Sequence, residues 1–544
     1  MRFEVWAPRA RLVEIEIDGK RHALEEADGH WSAEVDAPHG TPYGYVLDGE
    51  GPFPDPRSSW QPDGVHGLSR VYDHELFPWT DEPRRPYSLD GVVYELHIGT
   101  FTEEGTFDGA IERLGHLVDL GVTFVELMPV AAFPGRNGWG YDGVHPGAVH
   151  EPYGGPDGLK RFVNACHALG LGVLLDVVYN HLGPDGNHLG RYGPYFTDAH
   201  GRTPWGSAVN LDQAGSDEVR GLFLANAASW LRDFHFDGLR LDAVHAYHDT
   251  RAQPFLEELG ALDGVIIAES DLNDPRLVAS REAGGLGLDG VWSDDLHHAL
   301  HALLTGERHG YYADFGTVGA VAKALESVYV HDGAYSAFRG RSHGRPVDPR
   351  IPPERFVVSL QNHDQIGNRP LGDRLPRDLL LLGSPLTLLA PYTPLIFQGE
   401  EWGASTPFAY FTEHTDPELG RAVTEGRRRE HGHVADVPDP QDPATHAASI
   451  LDWDEAGVGV LTWHRTLIAL RGTAGLEPPR VTYDERARWL VMDRGPLRVA
   501  VNFDAEEAVL PGGGVLRLAS SGEVELDGEE LRLPGMSSAV IVTG

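Results

Sequence analysis

FDGLRLDAVH, residues 236–245, carries an apolar run that stops abruptly at a carboxylate, Asp242. Two later segments do the same: GVIIAES (264–270) stops at Glu269, and VVSLQNHDQIGN (357–368) delivers Asp364. A buried parallel strand reads this way when it brings an acid to the mouth of a barrel. Carboxylates presented together at such a mouth can cleave a glycosidic bond.

Outward from these three, the texture from Gly91 onward is strand, helix, strand, helix. Eight candidate strands emerge: GVVYELH (91–97), TFVELMPV (123–130), GVLLDVVYNH (172–181), DGLRLD (237–242), GVIIAES (264–270), LDGVWSDD (288–295), RFVVSLQNH (355–363) and TPLIFQGE (393–400). Eight strands alternating with helices suggest a (β/α)8 TIM barrel, with a doubly wound open sheet as the alternative. Thr106–Leu120 places Phe107, Ile111, Leu114, Leu117 and Val118 on one helical face and stops at Gly121. Asp217–Phe234 does so with Val219, Leu222, Phe223, Asn226, Trp230 and Phe234; Ser216 is its expected N-cap. The long segment Leu182–Ser216, after the third strand, and the segment around ERHGYYADFG, after the sixth, are expected to build a binding site.

Residues 1–86 read as an N-terminal β-sandwich of immunoglobulin or carbohydrate-binding type. Its turn signals are Asp18-Gly19, Asp28-Gly29 and Asp48-Gly49. The stretch FPWTDEPRRPY (77–87) reads as a linker into a barrel domain spanning 87–475, and alternation resumes in a C-terminal antiparallel β-domain, 476–544. The uncharged run Leu379–Gly399 has the length of a membrane span. Its three prolines favour a buried helix followed by a strand, split by Pro391 and Pro394.

At 544 residues, two to four domains are expected. A formal net charge of -38 argues against nucleic acid and anionic membranes as partners. Mean hydropathy is -0.29. The one cysteine, Cys166, lies on the apolar face of LKRFVNACHALG with Leu159, Phe162, Val163 and Leu169, and reads as a buried, inert thiol. The first residues alternate apolar and charged side chains instead of forming a signal peptide, so a cytoplasmic enzyme is expected.

A retaining glycosidase needs a nucleophile and an acid/base about 5–5.5 Å apart. Arg240 shares a strand face with Asp242 and can hold it ionised. Glu269 follows GVII and would stand among other carboxylates, two influences that keep a proton on it. Asp364 is then a third acid, gripping sugar hydroxyls as the ring flattens.

DVVYNH (176–181), GLRLDAVH (238–245), the glutamate of IIAES and QNHD (361–364) resemble the four conserved regions of the α-amylase superfamily, glycoside hydrolase family 13. The resemblance implies that Asp242 is the nucleophile, Glu269 the proton donor and Asp364 the transition-state stabiliser. It implies that Arg240, His181 and His363 line the subsite of the cleaved glucose, that Asp176 is a structural partner beneath it, and that Tyr141 in WGYDG is a stacking platform. Within the superfamily, WGYDGV, DVVYNHLGP, FDGLRLDAVHA, ESDLNDP, LQNHDQIGN and FQGEEWGASTPFAYFTEH are most similar to the maltooligosyltrehalose trehalohydrolases. That resemblance implies maltooligosyl trehalose as substrate, trehalose as product, and a maltooligosyl trehalose synthase as pathway partner. It implies no cofactor. Candidate contacts to the trehalose unit are Trp205, Asn210, His245, Asp294, Asp295, His297, Glu400 and Trp402. The alternatives are a glucan branching or debranching enzyme and, in another class, a non-catalytic α-glucan-binding protein.

Two other signals carry less. GLGLDG (285–290) matches a dinucleotide-binding pattern but precedes a strand instead of bridging strand to helix. His297 and His301 stand four apart without a third ligand, so surface or sugar-contact roles are favoured over a metal.

Overall fold

Eight parallel strands close into a barrel in the computed structural model, which describes residues 1–81, 88–203, 206–432, 434 and 436–543, without the side chains of 202 and 203. They are β1 (Val93–Leu96), β2 (Phe124–Leu127), β3 (Gly172–Val177), β4 (Gly238–Leu241), β5 (Val265–Ala268), β6 (Gly290–Trp292), β7 (Phe356–Ser359) and β8 (Thr393–Phe397). Each pairs with the next, and β8 returns to β1. All eight expected strands are therefore present, and the open-sheet alternative is excluded.

The period of two along each strand sorts side chains between two environments. Val93, Phe124, Leu174, Val265, Ile267, Trp292, Val357 and Leu395 pack together in the barrel lumen. Their neighbours Tyr94, Val125, Leu175, Leu239, Ile266, Val291, Val358 and Ile396 join the large core under the helices. Gly238 opens β4 because a Cβ there would lie 2.3 Å from the carbonyl oxygen of Val265.

The helix expected over 106–120 is two: α1 (Phe107–Ile111), capped by the Thr106 hydroxyl, and α2 (Leu114–Leu120), ended by Gly121 at φ 92°. The turn at Glu112–Arg113 aims Leu114, Leu117 and Leu120 inward and leaves Val118 39% exposed, off the buried face. In α3 (Gly155–Ala168) Cys166 is buried, while Leu169 falls past the last turn and is 47% exposed. Ser216 is the first residue of α4 (Ser216–Arg232), not its cap. Gly215, at φ 83°, turns the chain in, with Asp217 and Glu218 in the first turn. The 379–399 run is α5 (Arg377–Leu388) followed by β8. Among the described residues no helix is long and apolar enough to cross a membrane.

Before the barrel lie a three-stranded and a larger antiparallel sheet. At all three Asp-Gly turns both residues have positive φ, the backbone that suits tight hairpins. Most of the expected linker, and the boundary at 86/87, fall outside the described residues. After the barrel come two further antiparallel sheets over their own apolar core. Two buried arginines meet at the junction, one from the barrel's last helix and one from this region. Arg471, the last residue of α6 (Val458–Arg471), donates to the carbonyls of Leu388, Ala390 and Tyr392 at 2.6–3.0 Å. Arg494 donates to those of Leu389 and Ala390 at 2.7 and 2.8 Å.

The chain after β8 bends under α6 instead of toward the barrel mouth, which corrects two expected substrate contacts. Trp402 is buried between Trp453 and His116, with ring centroids 4.8 and 5.6 Å away. Glu400 is buried, accepts from Gln361 Nε2 at 3.1 Å, and is pushed up to about 8 by burial.

Arg471→Met takes the arginine donor from the carbonyls of Leu388 and Tyr392, while Ala390 keeps Arg494, and is expected to cost about 2 kcal/mol or more, read as a lower denaturant midpoint. An unchanged midpoint would contradict the role of Arg471 at the junction. Glu400 binds a proton in the folded chain that the unfolded chain releases near pH 4.5, so the native chain loses stability between about pH 4.5 and 8. The stability of Glu400→Gln relative to native should rise across that window in thermal melts at pH 5, 6.5 and 8. A flat difference would count against a buried neutral carboxyl.

Candidate active site

The C-terminal ends of β1, β3, β4, β5 and β7 bring one charged cluster to the barrel mouth. Its centre is Arg240, the third residue of β4, which has 0% exposure. Arg240 Nη1 donates to both oxygens of Asp176, the fifth residue of β3, at 2.9 and 2.8 Å, and to Asp242 Oδ1 at 2.8 Å. Its Nη2 stands 3.7 Å from Glu269 Oε2. The Trp292 ring, from β6, lies against the guanidinium at 4.5 Å.

Asp242 and Glu269 follow directly on β4 and β5, with side chains 13% and 15% exposed. Asn180 Nδ2 donates to Asp242 Oδ2 at 2.6 Å, a partner the sequence reading passed over in favour of its neighbour His181. Ala243 takes left-handed angles (φ 43°, ψ 50°), and its N–H donates to Glu269 Oε2 at 2.6 Å. A non-glycine residue in that region marks a constrained site. Asp364, 41% exposed, is held by Asn368 Nδ2 at 3.1 Å.

The electrostatics separate these groups. Burial pushes Glu269 up, Asp242 and Asp364 add to the rise, and Arg240 opposes it. Burial, with Glu269 and Asp364 beside it, pushes Asp294 up to about 7. Asp176 also rises to about 7 through burial, against the pull of Arg240. Burial works to lower His363, but the carboxylates of Glu95 and Asp364 carry it to about 9.

Tyr141 Oη donates to Asp176 Oδ2 at 2.6 Å and lies 2.8 Å from His363 Nε2, its ring stacked on the imidazole. His181 contacts Asn180 and places Nε2 3.0 Å from the Tyr141 carbonyl. Asp242, Glu269, Asp364, Arg240, His181, His363 and Tyr141 thus form one connected set. Two proposed trehalose contacts border it: His245, exposed in the turn whose Val244 N–H donates to the Glu269 carbonyl, and half-buried Asp294, reached by Gln365 Nε2 at 3.3 Å.

Three others do not join it. Buried Asn210 staples its own loop, donating to the carbonyls of Pro194 and Ala214 and accepting from Gln213 N–H. Asp295, at the start of a helix, accepts from the N–H groups of Val330 and His331 and from Asn273 Nδ2. His297 is buried, with one ring nitrogen on the Leu360 carbonyl and the other on Tyr312 Oη, so the surface or sugar-contact reading is corrected. His301 is likewise buried and engages Glu307. Trp205 lies outside the described residues. Among the described residues no group of three or more His, Cys, Asp or Glu is arranged to hold a metal.

Sequence reasoning also missed Glu95 and Glu126, buried acids within β1 and β2. A charged residue inside an otherwise apolar strand is a legible signal, because such side chains are rarely buried without purpose. Glu95 binds His363. Burial, with Glu95 and Asp176 nearby, pushes Glu126 far above the carboxylate range, against Arg240.

Comparison with known proteins identifies the family. The alpha-amylase catalytic-domain family model matches residues 75–191, and a domain family of unknown function matches 474–540. The malto-oligosyltrehalose trehalohydrolase of Rhizobium sp. (strain M-11) is 50% identical, over 99% of this chain and 97% of its own. That of Saccharolobus solfataricus is 45% identical, over 95% and 94%. The crystal structure of a Salmonella typhimurium protein provisionally assigned as an alpha amylase superposes with a TM-score of 0.90 at 35% identity, covering 100% of this chain and 97% of that one. With such identity along nearly its whole length, this chain belongs to the malto-oligosyltrehalose trehalohydrolase family of the α-amylase superfamily.

Proposed function

We propose that this protein hydrolyses the α-1,4-glucosidic bond next to the terminal trehalose of a maltooligosyl trehalose, releasing trehalose and a malto-oligosaccharide, with retention of configuration. The observation that carries the reading is the shared cation. Asp242 and Glu269 both approach Arg240, one in direct contact and one at 3.7 Å, while Glu269 is the carboxyl that burial favours in its protonated form.

Glu269 gives its proton to the bridging oxygen, which leaves with the trehalose unit. Asp242 attacks the anomeric carbon from the opposite face and forms a glycosyl ester. Glu269, now ionised, takes a proton from water, and the resulting hydroxide displaces Asp242 and restores both groups. Asp364 accepts sugar hydroxyl protons as the ring gains oxocarbenium character. Tyr141 offers a ring face to the same sugar, and His245 and Asp294 are placed to meet the leaving trehalose. We take residues 1–86, 87–475 and 476–544 as the domains, a maltooligosyl trehalose synthase as the source of the substrate, and the cytoplasm as the compartment. The single cysteine suits a reducing environment.

Product analysis on trehalose-capped and plain malto-oligosaccharides should show free trehalose from the capped substrate. New α-1,6 branches on amylose, or equal rates on both substrates, would count against this specificity. Asp242→Asn and Glu269→Gln should each lower kcat by about 10³-fold or more, with substrate binding retained. Activity should persist above the ordinary carboxylate range and fall as pH rises through the raised pKa of Glu269, measured as the alkaline limb of kcat/KM.

A further inference from the structure

We propose that Glu95, in the first barrel strand, is a positioning residue for this reaction: its carboxylate grips both the backbone and the ring of His363, fixing that imidazole as a cation that orders Tyr141 and Asp364. The proposal rests on the catalytic reading above and adds to it a residue from the opposite side of the cluster.

The geometry is specific. Glu95 Oε2 accepts the His363 backbone N–H at 3.0 Å, and Oε1 contacts His363 Nδ1. Both side chains are buried. One carboxylate therefore fixes the place of the residue before Asp364 and the rotation of its ring. The other ring nitrogen, Nε2, lies 2.8 Å from Tyr141 Oη and 3.5 Å from Asp364 Oδ2.

Counting protons gives the charge state. Arg240 Nη1 donates to both Asp176 oxygens, so Asp176 is the acceptor for the Tyr141 hydroxyl. That hydroxyl has one hydrogen, already given, and can only accept from His363 Nε2–H. With Glu95 as the carboxylate of this proposal, Nδ1–H is directed at its Oε1. With hydrogens on both nitrogens, His363 is an imidazolium. The groups facing it are Glu95 and His97 on the first-strand side, Glu126 from β2, Asp176 from β3, Arg240 from β4, and its own neighbour Asp364. The rings of Trp139, Tyr141 and Trp292 lie around it. Of the acids, Glu95 makes the direct ring contact. Asp176 is matched by Arg240, and burial drives Glu126 toward its neutral form. Without Glu95, Asp364 at 3.5 Å would be left to oppose the burial that drives the proton off His363, and the cation would be held less firmly.

The test is steady-state hydrolysis of a trehalose-capped malto-oligosaccharide by the full chain carrying Glu95→Gln. The amide keeps the side chain's size and can accept a hydrogen bond, but it has no charge. The expected result is a fall in kcat on the order of 10²-fold with a much smaller change in KM. The alkaline limb, which Glu269 sets in the native chain, should steepen and move to lower pH, because His363, near 9 in the native chain, would then titrate in the same range. Glu95→Asp, which keeps the charge, should return that limb toward its native position.

The His363→Asn background supplies a second measurement if Glu95→Gln alone does not fold. There the cation is gone, and adding Glu95→Gln should cost less than about twofold in kcat. Native kcat and pH profile in folded Glu95→Gln would overturn the proposal. So would a further loss of about tenfold or more in the His363→Asn background. A native chain that releases no trehalose would instead refute the functional reading, and the Glu95 comparison would then be run on whichever α-glucan the chain does cleave.

Discussion

A guanidinium sealed from solvent inside a barrel governs this molecule. Taking a charge out of water costs several kcal/mol unless partners with good geometry surround it. Arg240 gathers them on one nitrogen, Nη1, with two contacts to Asp176 and one to Asp242, and sets the Trp292 ring across its face. The requirement propagates in two directions. Downward, the lumen below is apolar, and Gly238 lets the neighbouring strand approach the foot of β4. Upward, the same cation that needs carboxylates touches Asp242 directly and stands 3.7 Å from Glu269, the pair proposed to react. Structural and chemical demands are met by one set of contacts, so the layer around Arg240 tolerates little independent variation.

Much of this was legible from the amino acids because a parallel strand buried on both faces has a strong signature. All eight strands announced themselves as short apolar runs ending in turn or acidic residues, and the three acids at their ends meet where the barrel opens. The Asp-Gly pairs were equally direct, since few residue types adopt the backbone such turns require. The failures share a cause. Position after a strand says that a residue is near the mouth, but not which way the loop then turns. Trp402 and Glu400 follow β8 and bend under a helix. Asn210 sits in a long loop and satisfies that loop's own carbonyls. His297 is one turn into a helix whose face looks toward Leu360 and Tyr312. Local periodicity also joined α1 to α2, because the two residues that break them carry no glycine or proline to mark the turn. Glu95 and Glu126 were readable in principle but lay too early in their strands to look like terminal acids.

The cluster divides its carboxyls by environment and not by residue type. Glu126 is enclosed, and burial drives it toward the acid form; Asp364 is open to solvent and held by an amide. Glu269 is intermediate, enclosed enough to favour the acid form yet near a cation that limits the rise. A general acid that must later act as a base needs such a balance, since a group held too firmly in either state serves only one of the two steps.

The left-handed turn at Ala243 has a stereochemical consequence. Its N–H occupies Glu269 Oε2, the oxygen that also faces Arg240, which leaves Oε1 to carry the mobile hydrogen. The two oxygens of this carboxyl are thereby made inequivalent before any sugar arrives, and the linkage to be broken must present its lone pair to one edge alone. Because the peptide that imposes this choice begins at Asp242, the proposed attack and protonation share a single covalent frame, like the two jaws of a calliper cut from one piece.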